Sequence, residues 1–183
     1  MYEMTFDALW YKTTLPKTVI NSFLEESKLY DTEPASLKGD VVNLKTRDSK
    51  ITWLSSNHWI AGFCYHYILQ ANESNFGYDI KPLGDKFLQY TTYSEGEYYD
   101  WHVDTIRNQD SIRKLSFTLQ LSDPEDYSGG ELQFIDEGDQ MFFAPKERGT
   151  IVVFDSRLKH RVKKVRSGCR KSLVGWIEGP RWK

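Results

Sequence analysis

Residues 87–104 read FLQYTTYSEGEYYDWHVD, and the fold turns on how this stretch is read. Aromatic and β-branched residues fill 87–93 and 98–104, with Ser94, Glu95 and Gly96 between them, the texture of two short strands joined by a turn. The same texture runs on toward the end of the chain. It predicts strands at roughly 87–93, 98–104, 115–121, 131–134, 140–143, 150–154, 160–165 and 170–177. Eight short strands of this kind fit two sheets packed face to face, a jelly roll.

Upstream of Pro82 and Gly84 the period is helical. Val19, Ile20, Phe23 and Leu24 follow Pro16, a residue suited to a first turn, and predict an amphipathic helix ending near Tyr30. Asn57 is a candidate N-cap for a second helix, on which Trp59, Ile60, Phe63, Cys64, Tyr67, Ile68 and Ala71 form the apolar face as far as about Asn72. Between the helices, 31–50 reads as a connecting loop with a short strand at 41–44. Helices followed by strands is α+β order. The expectation is one domain over 1–183, with 1–86 as helical support and 87–178 as a jelly-roll (double-stranded β-helix) core buttressed by the N-terminal helices.

The chain has 183 residues, enough to bury a core, and its 39% apolar, 27% charged and 15% aromatic content is that of an ordered globular protein. A formal net charge of -2 supplies no field to gather nucleic acid or an anionic membrane, so a partner of that kind would need a local patch. Arg157, Lys159, Arg161, Lys163, Lys164, Arg166 and Lys171 form such a cluster, read first as a solvated basic edge. No basic-then-apolar leader and no membrane-length apolar window is present, so a cytoplasmic location is expected. Cys64 and Cys169 lie far apart and are read as reduced packing residues.

His102 and Asp104 are two apart on an expected strand, which sends both side chains to one face. Alone the pair is a weak signal. His160 opens a later expected strand and can supply a third ligand; two histidines and one carboxylate make the facial triad of non-haem Fe(II) oxygenases. Arg170, ten residues on, shares its face with Ser172. An inward arginine needs an anion, either a dicarboxylate co-substrate or an internal acid such as Asp155. His58 and His66 are read as solvated or rim residues, and Trp176 as core packing.

These residues sit in spaced motifs. Residues 93–104, YSEGEYYDWHVD, resemble a Y-x-x-G-x-x-Y-x-x-H-x-D pattern; 116–132 contain a strand, a turn and Gly129-Gly130-Glu131-Leu132; and 149–162 with 168–176 end on His160 and Arg170. In this order they resemble the prolyl 4-hydroxylase-like 2-oxoglutarate oxygenases, in particular the bacterial PKHD-type hydroxylases, over roughly 87–178. The resemblance implies Fe(II) held by His102, Asp104 and His160, 2-oxoglutarate held by Arg170 with Ser172 assisting and Tyr93 as a hydrogen-bond partner, O2 as oxidant, and ascorbate as an accessory. It selects Tyr99 as a pocket residue, whereas strict alternation puts Tyr98 on the ligand face; a bulge before the ligands would reconcile them. Leu119 and Gln120 stand where the family often carries an aromatic residue. Trp176 stands where the nucleic-acid demethylases of the superfamily carry a second arginine, which argues against a nucleic-acid substrate.

The implied activity is hydroxylation of an unactivated C–H bond, with a prolyl residue in a peptide or protein as the leading substrate and release of succinate and CO2. The alternatives are a free amino acid or other small molecule as substrate, a catalytically silent jelly-roll binding module, and a zinc hydrolase built on the same triad. The segments 31–50, 72–86 and 105–114 are expected to form the substrate rim, and oligomeric state is left open.

Overall fold

The computed structural model of the protein describes residues 10–36, 43–84, 88–105, 111–136 and 138–182. Fourteen strands and two α-helices are present among the described residues, the strands in three antiparallel sheets. β1 is Trp10–Thr14, β2 Glu33–Pro34, β3 Arg47–Asp48, β4 Lys50–Leu54, β5 Leu88–Tyr93, β6 Tyr98–His102 and β7 Ser111–Gln120. Then come β8 Tyr127–Gly129, β9 Leu132–Ile135, β10 Met141–Phe143, β11 Thr150–Asp155, β12 Lys159–Val162, β13 Val165–Gly168 and β14 Arg170–Pro180. The large sheet runs β1-β11-β7-β14-β5-β4-β2, the small one β10-β9-β12-β6-β3, and β13 pairs with β8. This is the jelly-roll core with helical support that the strand texture predicts.

Alternation along β11 shows how the layers are made. Ile151 and Val153 point to one face, Val152 and Phe154 to the other, and every residue of the strand is buried. The first pair joins a cluster with Leu115, Phe117, Leu119 and Leu173 on which both helices lie; the second joins Phe134, Leu158 and Val162 between the two sheets. The large sheet is therefore covered on both faces, and the smaller inter-sheet core leaves one end of the sandwich for a site.

α1, Lys17–Ser27, buries Ile20 and Phe23, while α2, Trp59–Ala71, buries Ile60, Cys64, Ile68 and Ala71. Each such aliphatic or aromatic side chain removed from water contributes about 1.5–3 kcal/mol. α2 is capped by His58 in place of the expected Asn57: its Nδ1 accepts the Ile60 N–H at 3.3 Å. His58 is not solvated either, since its Nε2 meets Tyr30 Oη and Glu26 Oε1, each at 2.9 Å. α1 stops at Ser27, short of Tyr30, in a turn that returns the Leu29 and Tyr30 amides to Glu26 and Ser27 carbonyls.

Between the helices the expected loop holds β2, β3 and β4, because Ile51 and Leu54 bury against the neighbouring β5 in a five-residue strand too short to show a clear period. The strand expected at 41–44 begins outside the described residues, and 44–46 form a turn. β1, which adds to the β11 edge, and β8 lay outside the expected set. The strand expected over 160–165 is split into β12 and β13, the break at Lys163 and Lys164 letting the chain change sheets.

Two glycines make the β8–β13 pairing. Gly129 and Gly168 have φ of 73° and 74°, and a Cβ built on Gly168 would stand 2.1 Å from the Asp126 carbonyl oxygen. Gly168→Ala is expected to lower the unfolding free energy by about 2 kcal/mol or more, whereas Gly62→Ala, on the exposed face of α2 with nothing within 4 Å, should raise it by about 0.5–1 kcal/mol; denaturant titration of both variants checks the pair.

Candidate metal and co-substrate site

β12 lies between β9 and β6, and its register sets His160 directly opposite His102. The next paired residues are Val162 and Tyr99, so three residues on β6 span what two span on β12. That is a bulge, and it turns Tyr99 onto the His102 face, where the rings stack with centroids 3.6 Å apart at 14°. Tyr98 points away and its hydroxyl donates to the Leu44 and Lys45 carbonyls. The conflict between alternation and the Tyr99 assignment is thereby resolved in favour of Tyr99.

Asp104 reaches the site by a different route from the one its spacing suggests. β6 ends at His102, and the chain beyond is held by the Asp104 and Thr105 amides, both donating to Ser156 O at 2.9 Å. The carboxylate then accepts from Ser116 Oγ at 2.8 Å, and Ser116 in turn contacts Ser156 Oγ at 2.9 Å. His102 and His160 each place Nδ1 against a carbonyl, that of Asp100 at 2.7 Å and that of Leu158 at 2.9 Å. A carbonyl only accepts, so each Nδ1 carries the hydrogen and each Nε2 is left to act as a ligand. The two Nε2 atoms stand 3.7 and 3.4 Å from the Asp104 oxygens, and the three donors lie within 4.8 Å of one another.

Electrostatics matches that arrangement. Burial, with the neighbouring His160 adding to it, pushes His102 down to about 4, so its imidazole is neutral near pH 7. Burial opposes the Asp104 charge, but the two imidazoles and the Ser116 hydroxyl outweigh it and hold the carboxyl well below its usual range. Burial lowers His160 while the Asp104 charge and hydrogen bond raise it, with the net direction upward. Phe154 and Phe134 pack against the His160 ring at 4.9 and 5.9 Å and keep that side dry.

A cavity of about 490 Å³ opens on the triad and runs to Arg170. Arg170 is only 4% exposed; one Nη donates to Ser172 Oγ at 3.2 Å and its guanidinium lies 5.7 Å from the Tyr93 ring, Tyr93 being its register partner on β5. Tyr127 adds its hydroxyl, which also accepts from Gln120 at 3.1 Å. Asp155 is not the counter-ion: it is engaged by Arg157 at 2.6 Å and by the Tyr78 hydroxyl at 2.7 Å. Among the described residues no carboxylate forms an ion pair with Arg170, and the buried Thr118 hydroxyl on the same cavity wall has no hydrogen-bond partner. A buried guanidinium without a counter-ion beside an orphaned hydroxyl fits an anionic carboxylate ligand. Two imidazole nitrogens and a carboxylate on one side of an open volume fit a divalent iron with positions left for other ligands.

The structure thus brings together all of His102, Asp104, His160, Arg170, Tyr93, Tyr99 and Ser172. It also adds residues that the sequence reading missed: Arg47, Arg113 and Thr118 line the same cavity, and Ser116 holds Asp104. Ser116 and Thr118 share a strand face, a cue present in the alternation of β7; Arg47 gave no cue, since it comes from the supposed loop. Trp176 lines the cavity under the Arg113 guanidinium at 3.9 Å, in place of packing in the core. Of the expected rim, Ser36, Thr46 and Arg47 contribute from 31–50 and Arg113 from 105–114, no described residue of 72–86 does, and 106–110 lie outside the described residues.

The family model for the 2OG-Fe(II) oxygenase superfamily matches residues 88–178, the span that carries the triad and Arg170. Residues 88–178 belong to the 2OG-Fe(II) oxygenase superfamily. Membership implies Fe(II), 2-oxoglutarate and O2. Among similar curated proteins, a PKHD-type hydroxylase of Synechococcus sp. (strain CC9902) is 44% identical over 87 residues, covering 45% of this chain and 37% of that protein. Another from Parvibaculum lavamentivorans is 41% identical over 85 residues, covering 46% and 38%. The chain therefore spans well under half the length of these relatives. Among solved structures, a Pseudomonas putida prolyl-4-hydroxylase superposes with a TM-score of 0.74 at 22% identity, covering 94% of this chain and 92% of that one. A Trichoplax adhaerens prolyl hydroxylase in complex with a hypoxia inducible factor peptide fragment gives 0.76 at 17%, covering 93% and 84%. At these identities the likeness concerns the fold. No helix among the described residues is long and apolar enough to cross a membrane.

His160→Ala removes a buried donor from the centre of the triad and is expected to abolish divalent metal binding while leaving the fold intact. Anaerobic titration with Co(II), followed by its visible absorption, checks this; a wild-type titration in the variant would sink the triad assignment.

Proposed function

We propose that this protein is an Fe(II)- and 2-oxoglutarate-dependent hydroxylase, with His102, Asp104 and His160 as iron ligands and Arg170 as the anchor for the distal carboxylate of the co-substrate. The observation that carries the reading is the pairing of a three-donor cluster with a buried arginine that lacks a carboxylate partner, at two places along one cavity. Bound iron, with 2-oxoglutarate and O2, supplies the oxidising chemistry that turns a C–H bond into C–OH and releases succinate and CO2.

The chain's own residues have positioning roles. Ser172 and Tyr127 orient the Arg170 fork, and the Thr118 hydroxyl is free to donate to an incoming carboxylate. Tyr99, pushed up to about 12 by burial, keeps its proton and with its ring fixes the His102 plane. Phe134 and Phe154 keep water from the ligand side of His160, where reactive chemistry would otherwise be quenched. No nucleophile or general base is needed, in keeping with Cys64 being fully buried, its thiol pushed far up by burial.

The substrate is read as a prolyl residue in a peptide or protein. The names of the PKHD-type relatives and the prolyl hydroxylases of like fold, one of them solved with a peptide, support that class.

Two measurements test the proposal. Anaerobic addition of Fe(II) and 2-oxoglutarate should produce a visible charge-transfer band that needs both additions; no band in folded, metal-loaded protein would overturn the co-substrate reading. Arg170→Ala should raise the 2-oxoglutarate dissociation constant by roughly thirtyfold or more, the equivalent of about 2 kcal/mol for a charge-assisted bidentate contact, with metal affinity unchanged.

A further inference from the structure

Among the described residues, three arginines and one carboxylate are the charged residues lining the cavity: Arg47, Arg113, Arg170 and Asp104. A divalent metal and a dianionic co-substrate cancel each other in charge, so an excess of two positive charges stays in the cavity. Arg170 is accounted for by the co-substrate. Arg47 and Arg113 are not.

Arg47 is 7% exposed and held in place by neutral acceptors: its Nε donates to Ser49 Oγ at 3.0 Å and one Nη to Gln89 Oε1 at 2.7 Å, with the guanidinium 4.7 Å over the Tyr99 ring. Tyr99 in turn stacks on His102, which places Arg47 one ring away from a metal ligand. Arg113 lies over the Trp176 ring, its guanidinium carbon 3.9 Å from the centroid. Neither arginine forms an ion pair among the described residues. The acids nearest in effect to Arg113 are engaged elsewhere, Asp104 by the histidines and Ser116, and Glu178 by Ser111 at 2.8 Å. Burial holds Arg113 below its usual range, and the like charge of Arg47 adds to that. One buried guanidinium, Arg47, and one half-buried, Arg113, that repel each other are costly unless an anion joins them.

We propose that Arg47 and Arg113 form a substrate subsite for a carboxylate, so that the molecule hydroxylated carries a negative charge close to the target carbon. The inference rests on the hydroxylase reading above and narrows its substrate class. Two planar forks, each steadied by an aromatic ring, suit a carboxylate better than a neutral peptide group. That carboxylate comes either from an acidic residue beside the target in a peptide or from the α-carboxylate of a free amino acid. Both sources make the same contact, and the trapped charge would keep neutral analogues out.

The experiment uses anaerobic protein loaded with Fe(II) and 2-oxoglutarate, titrated calorimetrically with matched probes: N-acetyl-Gly-Pro-Glu-amide against N-acetyl-Gly-Pro-Gln-amide, and L-proline against L-prolinamide. The charge-transfer band is recorded alongside, so a failed cofactor site shows as a missing band and not as a missing preference. At least one acid probe is expected to bind about tenfold or more tightly than its neutral match, and which pair shows it identifies the source. Arg113→Gln should reduce that preference to near unity and Arg113→Lys should restore part of it, the band surviving in both. Equal binding of acid and neutral members, including no binding of either, or an undiminished preference in Arg113→Gln, would overturn the proposal.

Discussion

The antiparallel pairing of β6 with β12 is the contact on which the site depends. It places His102 and His160 on adjacent strands with their rings 4.2 Å apart, a separation that ligand spacing in sequence cannot create. Because the two strands bind each other through backbone hydrogen bonds, the geometry of the histidines is as rigid as the sheet. The carboxylate is then brought in by a separate device, the return of the chain at 104–105 onto Ser156. The bulge in β6 is the local departure from regular pairing that this arrangement uses, and it is what makes room for a ring to lie flat on a ligand.

The large sheet backs that pairing and carries Arg170, Tyr93 and Thr118 on the cavity wall. β14 spans it, and one strand serves both purposes: Arg170, Val174 and Trp176 line the cavity, while Leu173 and Ile177 are buried in the cluster beneath the helices. A substitution that loosens the helical layer would thus act on the site through the tilt of β14.

Much of this was legible in the sequence, for reasons that differ from element to element. β5, β7, β9, β11 and β12 each bury a complete face, so their apolar and β-branched residues carry the pattern. The histidines and Arg170 were legible because few residue types can ligate a metal or pair with a dicarboxylate, and because their spaced motifs resemble one known family's. The position of Asp104 came out right on a wrong premise, since its strand ends two residues early. β2, β3 and β4 were invisible because two-residue strands have no period and Lys50–Leu54 shows only two buried residues. Arg47 and Arg113 escaped for a related reason: an isolated arginine looks solvated until the fold shows what surrounds it.

The stretch from β2 to β4 also has a standing of its own. β4 hydrogen-bonds into the large sheet, β3 into the small one, and Arg47 reaches from one to Gln89 on the other. This strap lies before residue 88, outside the span that the superfamily pattern covers. Part of the cavity wall, with Ser36, Thr46, Arg47 and Trp53, is consequently encoded ahead of the piece of chain that carries the metal ligands. A lineage, or an engineer, can exchange the strap and alter what is admitted without rewriting the residues that do the oxidation.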